Sequence, residues 1–141
     1  MTTEGYAGDV SPQEAWRILG DEPGAALVDV RTDAEWAYVG VTDLADLGKA
    51  PVLIPWQVFP SMAVNAHFVN QVAAQGVGPE QTVLLLCRSG VRSRAAAIAL
   101  TSAGYRCCLN VSDGFEGPPD DARHRGGRAG WKASGLPWQQ S

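Results

Sequence analysis

Residues 81–87 read QTVLLLC. Successive side chains of a strand point to opposite faces, so this run is apolar on both. Such a strand needs cover above and below, which suits a central position in a parallel sheet with helices on its two faces. A glycine stands three residues beyond the cysteine, and residues 92–104 (RSRAAAIALTSAG) then read as a helix ending in glycine. The rest of the chain must supply flanking strands and the other helices.

It carries signals for them in alternation. Residues 11–20 (SPQEAWRILG) place Ser11 as N-cap, Pro12 at the first helical position and Glu14 at the capping-box position. Ala15, Ile18 and Leu19 form the apolar stripe, and Gly20 is expected to end the helix. Residues 25–30 (AALVDV) read as a strand and 33–40 (DAEWAYVG) as a short helix. A short strand lies within APVLIPW, closed by Pro55. Residues 65–76 read as a helix with Phe68, Val69, Val72 and Ala73 on one face, and 105–111 (YRCCLNV) as a strand. This alternation predicts an α/β fold with a mainly parallel sheet. From about residue 114 glycine, proline and charge dominate, so the remainder reads as loop, with a short final helix expected in GWKASGLPWQQS. At 141 residues the chain is expected to form one domain, 1–141.

Composition excludes several classes. At 45% hydrophobic and 18% charged residues the chain has an ordinary globular balance. No apolar run approaches the ~20 residues of a membrane span, and the first residues lack the basic start and apolar core of a secretory signal. The expected location is the cytoplasm. Residues 1–50 hold ten acidic and three basic residues, a net of −7, whereas 51–141 carry a net of +3. That asymmetry admits an anion-attracting side around Cys87, but there is no basic stripe for nucleic acid. Three cysteines, Cys87, Cys107 and Cys108, argue against a disulfide framework. None has zinc-ligand spacing, and neither His67 nor His124 has metal-like neighbours. No metal or other cofactor is expected.

Cys87 stands where ligands gather in parallel sheets, beyond the carboxyl ends of the strands. Gly90 permits the positive φ that a rapid turn into a helix requires. Backbone N–H groups in such a turn can converge on one centre, and the N-terminus of the following helix adds unpaired donors and a positive dipole end. A cysteine in such surroundings ionises more readily, and the thiolate is its nucleophilic form. Arg88 and Arg92 add permanent positive charge able to hold an oxyanion, and Ser89 and Ser93 add hydroxyl donors. The plain alternative is a small apolar residue closing a strand.

The loop CRSGVRS resembles the active-site loop of the rhodanese family, Cys-Arg-x-Gly-x-Arg-Ser. LVDVRTDAEW (27–36) is similar to that family's earlier segment, a strand ending Asp-x-Arg before an acid and an aromatic. NVSDGFEG (110–117) is similar to its glycine-aromatic segment, and GW followed by GLPW (130–138) to its common ending. The resemblance implies a single rhodanese-like domain with a mainly parallel five-stranded sheet flanked by helices on both faces. It implies a sulfurtransferase in which thiosulfate gives its outer sulfur to Cys87, and the persulfide passes that sulfur to cyanide or a thiol; a protein acceptor is also admitted. Cys87 is then catalytic. Arg88, Ser89, Gly90, Val91, Arg92 and Ser93 bind substrate, the backbone N–H groups of 88–93 stabilise the persulfide, and the two arginines orient the donor's sulfonate. Asp29, Arg31 and Glu35 brace the loop, with Glu35 paired to a nearby arginine. Trp36 is read as core in preference to a pocket wall.

The chain departs from the family pattern in three places. A longer connection, YVGVTDLADLGKAPVLIPW, replaces a Gly-His-Ile-Pro-Gly-Ala segment. Asp113 stands where a second glycine is usual. The insertion at 118–128 is expected either to overhang the active site or to be a solvated loop. Cys107 and Cys108 sit mid-strand on opposite faces, with core packing as the expected role and a resolving thiol as the alternative.

Two other functions remain open. A rhodanese-fold phosphatase or arsenate reductase places five residues between its cysteine and arginine, whereas Cys87 and Arg92 enclose four. A carrier or regulatory docking module would hold sulfur without turnover.

Overall fold

A computed structural model describes residues 5–58, 61, 63–117 and 129–140. In chain order the elements are β1 (Gly8–Val10), α1 (Pro12–Asp21), β2 (Ala26–Asp29), α2 (Asp33–Tyr38), β3 (Val41–Thr42), a 3₁₀ turn (Ala45–Leu47), β4 (Val52–Leu53), β5 (Gln57–Val58) and β6 (Ala63–Val64). They continue with α3 (Phe68–Ala74), β7 (Thr82–Leu86), α4 (Val91–Ser102), β8 (Cys107–Val111) and β9 (Trp138–Gln139). Five strands form one sheet in the order β1-β8-β7-β2-β4, and every pairing in it is parallel. The apolar run of residues 81–87 therefore supplies the central strand.

Alternation along the strands divides the core into two layers. Val83, Leu85 and Cys87 face Val28, Val30 and Cys108, together with Phe68 and Val72 of α3 and Ala96, Ala97 and Leu100 of α4. Leu84 and Leu86 turn the other way, toward Leu27, Val111 and the Ala15–Ile18–Leu19 stripe of α1. All four side chains from Val83 to Leu86 are fully buried. Helices thus cover both faces, which is the arrangement a doubly apolar strand demands.

Helix starts follow the local chemistry. The Ser11 hydroxyl accepts from Glu14 N–H at 3.1 Å, and Pro12 begins α1. The Glu14 carboxylate meets Arg17 instead of closing a capping box. The complete capping box is at α2, where Thr32 and Glu35 each bond the other's backbone N–H. Asn65 delays α3: its side-chain oxygen takes the His67 N–H and its amide nitrogen donates to Pro55 O, so the helix begins at Phe68.

Three expectations are corrected. Gly20 does not end α1, which runs one residue further to Asp21. The short helix expected in the C-terminal dodecapeptide is a set of turns followed by β9, which pairs antiparallel with β3. There Trp131 is fully buried against α1, its ring edge-on to Trp16 and its indole N–H bonded to Pro137 O at 2.7 Å. Trp36 joins neither core layer; it is half-buried and lines a surface cavity of about 520 Å³ with Leu53 and Val41. No helix among the described residues is long and apolar enough to cross a membrane. The insertion at 118–128, and His124 within it, lie outside the described residues.

Candidate functional site

Strand β7 delivers Cys87 to the carboxyl edge of the sheet, where its side chain is 1% exposed. Gly90 caps α4 with φ +108°, a conformation open to glycine and strained for other residues. This turn brings the Gly90 N–H to 3.0 Å from Cys87 Sγ. Ser93, within the first turn of α4 and fully buried, places its Oγ 3.2 Å from the same sulfur. The sulfur therefore sits before the first turn of a twelve-residue helix, with a backbone N–H aimed at it and a hydroxyl within reach. Such an arrangement favours a negatively charged atom at that point.

The loop that holds the sulfur is itself held from below. Phe115 N–H donates to Cys87 O at 2.8 Å, and the N–H groups of Glu116 and Gly117 both donate to Arg88 O, at 3.0 and 3.1 Å. Gly114 lets these backbones approach, since it lies directly beneath the carbonyls of Cys87 and Arg88. Asp113, just before it, has φ +65°. That accounts for a position where glycine is usual, because aspartate is among the few other residues that tolerate the left-handed region.

Asp29 and Arg31 meet in a fully buried ion pair. Arg31 Nη2 lies 2.6 Å from Asp29 Oδ2, and Nε lies 2.9 Å from Oδ1. Arg31 also donates to Gly40 O and lays its guanidinium over the Phe115 ring, 4.4 Å from the centroid. The pair thereby links the end of β2 to the segment under the Cys87 loop.

Arg92 points toward α2 and forks onto Glu35, with Nη1–Oε1 at 2.6 Å and Nη2–Oε2 at 2.9 Å. Burial alone would raise the Glu35 pKa, but the hydrogen bonds from Arg92 and Thr32 outweigh it and hold the carboxyl below its ordinary value. The Glu35 bond in turn raises Arg92 above the usual guanidinium value. A carboxyl with a lowered folded pKa stabilises the fold above the unfolded value of about 4.5, and that contribution is lost as pH falls through the lower folded one. Glu35→Gln should therefore cost about 1–2 kcal/mol near neutrality. Urea melts should show the gap between variant and parent closing as pH falls below about 4.

Of the residues singled out from sequence, Cys87, Gly90 and Ser93 meet at the sulfur, while Arg92 and Glu35 meet each other beside it. Arg88 and Val91 are exposed, and Ser89 is half-buried. Cys108 lies in the same core layer as Cys87, and burial pushes its thiol up to about 11. Cys107, its neighbour on the opposite face, is half-buried. A cavity of about 580 Å³ adjoins the loop along Ser89, Gly90 and Val91; its walls include Tyr6, Asp9 and Asn110 but not Cys87.

Sequence reasoning missed Tyr6, Asp9 and Asn110. The three-residue β1 that carries Asp9 is too short to show a period. Asn110 did leave a signal, as a polar side chain within a strand read as core; it is 4% exposed.

The chain matches the STR4 middle domain over residues 7–141. It is 36% identical over 132 residues to the uncharacterized protein RP600 of Rickettsia prowazekii, spanning 93% of this chain and 96% of that protein. It is 27% identical to the thiosulfate sulfurtransferase GlpE of Actinobacillus pleuropneumoniae serotype 5b, over 92% of this chain and 90% of that one. Among solved structures, Rv0390 from M. tuberculosis superposes with a TM-score of 0.87 at 46% identity, covering 96% of this chain and 99% of that one.

Proposed function

The chain belongs to the STR4 middle-domain family, a group of rhodanese-like proteins, and on that premise we propose that Cys87 carries a sulfane sulfur from a small donor to an acceptor. The observation that carries this reading is the placement of a buried sulfur 3.0 Å from the Gly90 N–H at the head of α4. A group built to be anionic gains there, whether it is a thiolate or a persulfide.

With thiosulfate as donor, the Cys87 thiolate attacks the outer sulfur. A new S–S bond forms, the bond to the sulfonate sulfur breaks, and its electron pair leaves with sulfite. The terminal sulfur of the persulfide keeps one negative charge, so charge and atoms balance. Cyanide or a thiolate then attacks that terminal sulfur and returns Cys87 as thiolate. Arg88, exposed at the loop, attracts the donor's sulfonate end. Arg92 has both terminal nitrogens on Glu35, so its part is to hold α4 against α2 and supply charge near the sulfur. The mechanism calls on no metal or organic cofactor.

The reading treats residues 1–141 as one domain. Pairing of the N-terminal β1 with β8, and of the C-terminal β9 with β3, supports it. Three unpaired cysteines suit a reducing compartment such as the cytoplasm. A phosphatase is disfavoured by the four-residue spacing, and by an arginine already engaged by a carboxylate.

Intact mass after incubation with thiosulfate tests the proposal. The parent should gain one sulfur atom and lose it on cyanide addition, while Cys87→Ser stays at its unloaded mass. A persulfide that cyanide or thiols cannot discharge would favour a carrier. No adduct, together with hydrolysis of a phosphate ester, would overturn the reading in favour of a phosphatase.

A further inference from the structure

Behind the sulfur runs a chain of polar contacts. Ser93 Oγ lies 3.2 Å from Cys87 Sγ on one side and 2.5 Å from Asn110 Oδ1 on the other. Asn110 Nδ2 donates to Asp9 Oδ1 at 3.0 Å and to Gly90 O at 3.2 Å. Asp9 Oδ1 also accepts from the Tyr6 hydroxyl at 2.9 Å. Asp9 and Asn110 are register partners in the β1–β8 pairing, so the sheet itself sets their spacing.

The direction of the Asn110 amide follows from its partners. A carboxylate oxygen and a carbonyl oxygen offer only lone pairs, so the amide end facing them must be the nitrogen. Turning the amide over would set its oxygen against both. Asn110 Oδ1 is thereby committed to Ser93. A serine hydroxyl has one proton and two neighbours able to take it, Oδ1 and Sγ.

We propose that Asn110 is a positioning residue for Cys87, acting through the Ser93 hydroxyl. While the sulfur is a thiol, the Ser93 proton lies on Asn110 Oδ1, and the Ser93 oxygen accepts the S–H. When the sulfur becomes an anion, the hydroxyl rotates and donates to it, leaving Oδ1 without that donor. Asn110 thus competes with the sulfur for one proton and restrains formation of the anion until a substrate or persulfide draws the hydroxyl across. The inference deepens the sulfur-transfer reading of Cys87 and concerns the reactivity of the same atom.

The test is a double-mutant cycle read by iodoacetamide alkylation of Cys87, followed by mass spectrometry from pH 6 to 10. Asn110→Ala removes the competing acceptor, so the rate profile should move to lower pH by about half to one unit, a three- to tenfold faster rate on its acidic side. In a Ser93→Ala background the same substitution should leave the profile where Ser93→Ala alone puts it. The charged and titratable groups on the elements around the sulfur are Arg88, Arg92 and Arg94 with Glu35, the Asp29–Arg31 pair, Cys107 and Cys108, Asp9 with Tyr6, and Asp113 and Glu116 beneath the loop. All are common to both arms of the cycle and cancel in the difference.

Asp9→Asn, at an exposed position, is the second variant and serves if Asn110→Ala fails to fold. It weakens one of the two acceptors that hold the Asn110 amide, leaving the Gly90 carbonyl in place, and also removes a negative charge. The part of its shift that disappears in Ser93→Ala is the part acting through the hydroxyl. A shift of equal size in both backgrounds, or a folded Asn110→Ala with the parent's profile, overturns the proposal. Alkylation needs no sulfur donor, so failure of thiosulfate loading and failure of this cycle are separate results.

Discussion

Gly114→Ala is expected to destabilise the protein by at least about 3 kcal/mol and to slow sulfur loading of Cys87 about 100-fold. A Cβ there would strike the Cys87 carbonyl oxygen and lie 2.6 Å from the carbonyl carbon and oxygen of Arg88. These are backbone atoms, so no flexible side chain can swing aside. They are also the acceptors that tie the Cys87 loop to Phe115, Glu116 and Gly117, and relieving the clash must loosen that tie. The φ of +59° adds a penalty for any residue with a Cβ. Gly48→Ala separates the two causes. Its φ is +69°, but nothing lies within 4 Å of the added atom, so it should cost only about 1–2 kcal/mol and leave loading unchanged. Urea melts and the rate of mass gain with thiosulfate check both variants. Equal effects at Gly48 and Gly114 would show that close approach beneath the loop is unimportant.

Arg31→Met should cost about 3–5 kcal/mol, because it strands the Asp29 carboxylate in a site with no exposure. It also removes the donor to Gly40 O and the ring contact with Phe115. The double variant Asp29→Leu/Arg31→Met should recover much of the loss, since two apolar side chains leave no buried charge. Arg31 Nη1 has no hydrogen-bond partner among the described groups, so the guanidinium is incompletely satisfied and the pair's own net contribution is correspondingly modest. What the pair supplies is position, through Phe115, for the segment beneath Cys87. The double variant should therefore regain stability in urea while its sulfur loading stays slow. Recovery of both together would reduce the pair to a matter of stability.

The strand ending at Cys87 was legible because apolar residues on both faces admit few alternatives, and it lies at the centre of the sheet. The helix starts at Pro12 and Asp33 lie where they were expected, the first from its Ser11 cap; the Thr32 capping box that fixes the second emerged only in the structure. Gly20 misled because a glycine one residue before a helix end costs little, and α1 is held through it by Leu19 and the rest of its buried stripe. The C-terminal segment misled for another reason. Its conformation is set by Trp131 packing on α1 and by the pairing of β9 with β3, contacts between residues far apart in the chain. Trp36 was read as core in preference to a pocket wall, yet it is half-buried beside Leu53, a neighbour remote enough in the chain that no local pattern names it.

The sequence by itself determined the layered α/β architecture, the central strand, and the sulfur at its end before a helix N-terminus. These follow from periodicity, capping and turn chemistry, which act over a few residues. Only the tertiary structure decided that Arg92 goes to Glu35, that Arg31 leans on Phe115, and that Gly114 closes against the Cys87 carbonyl. It alone brought Asp9 across β1 and β8 to hold Asn110 toward Ser93. Each of these is a contact between segments remote in sequence, fixed by sheet register and burial, and the side chains involved carry no local pattern that names their partners.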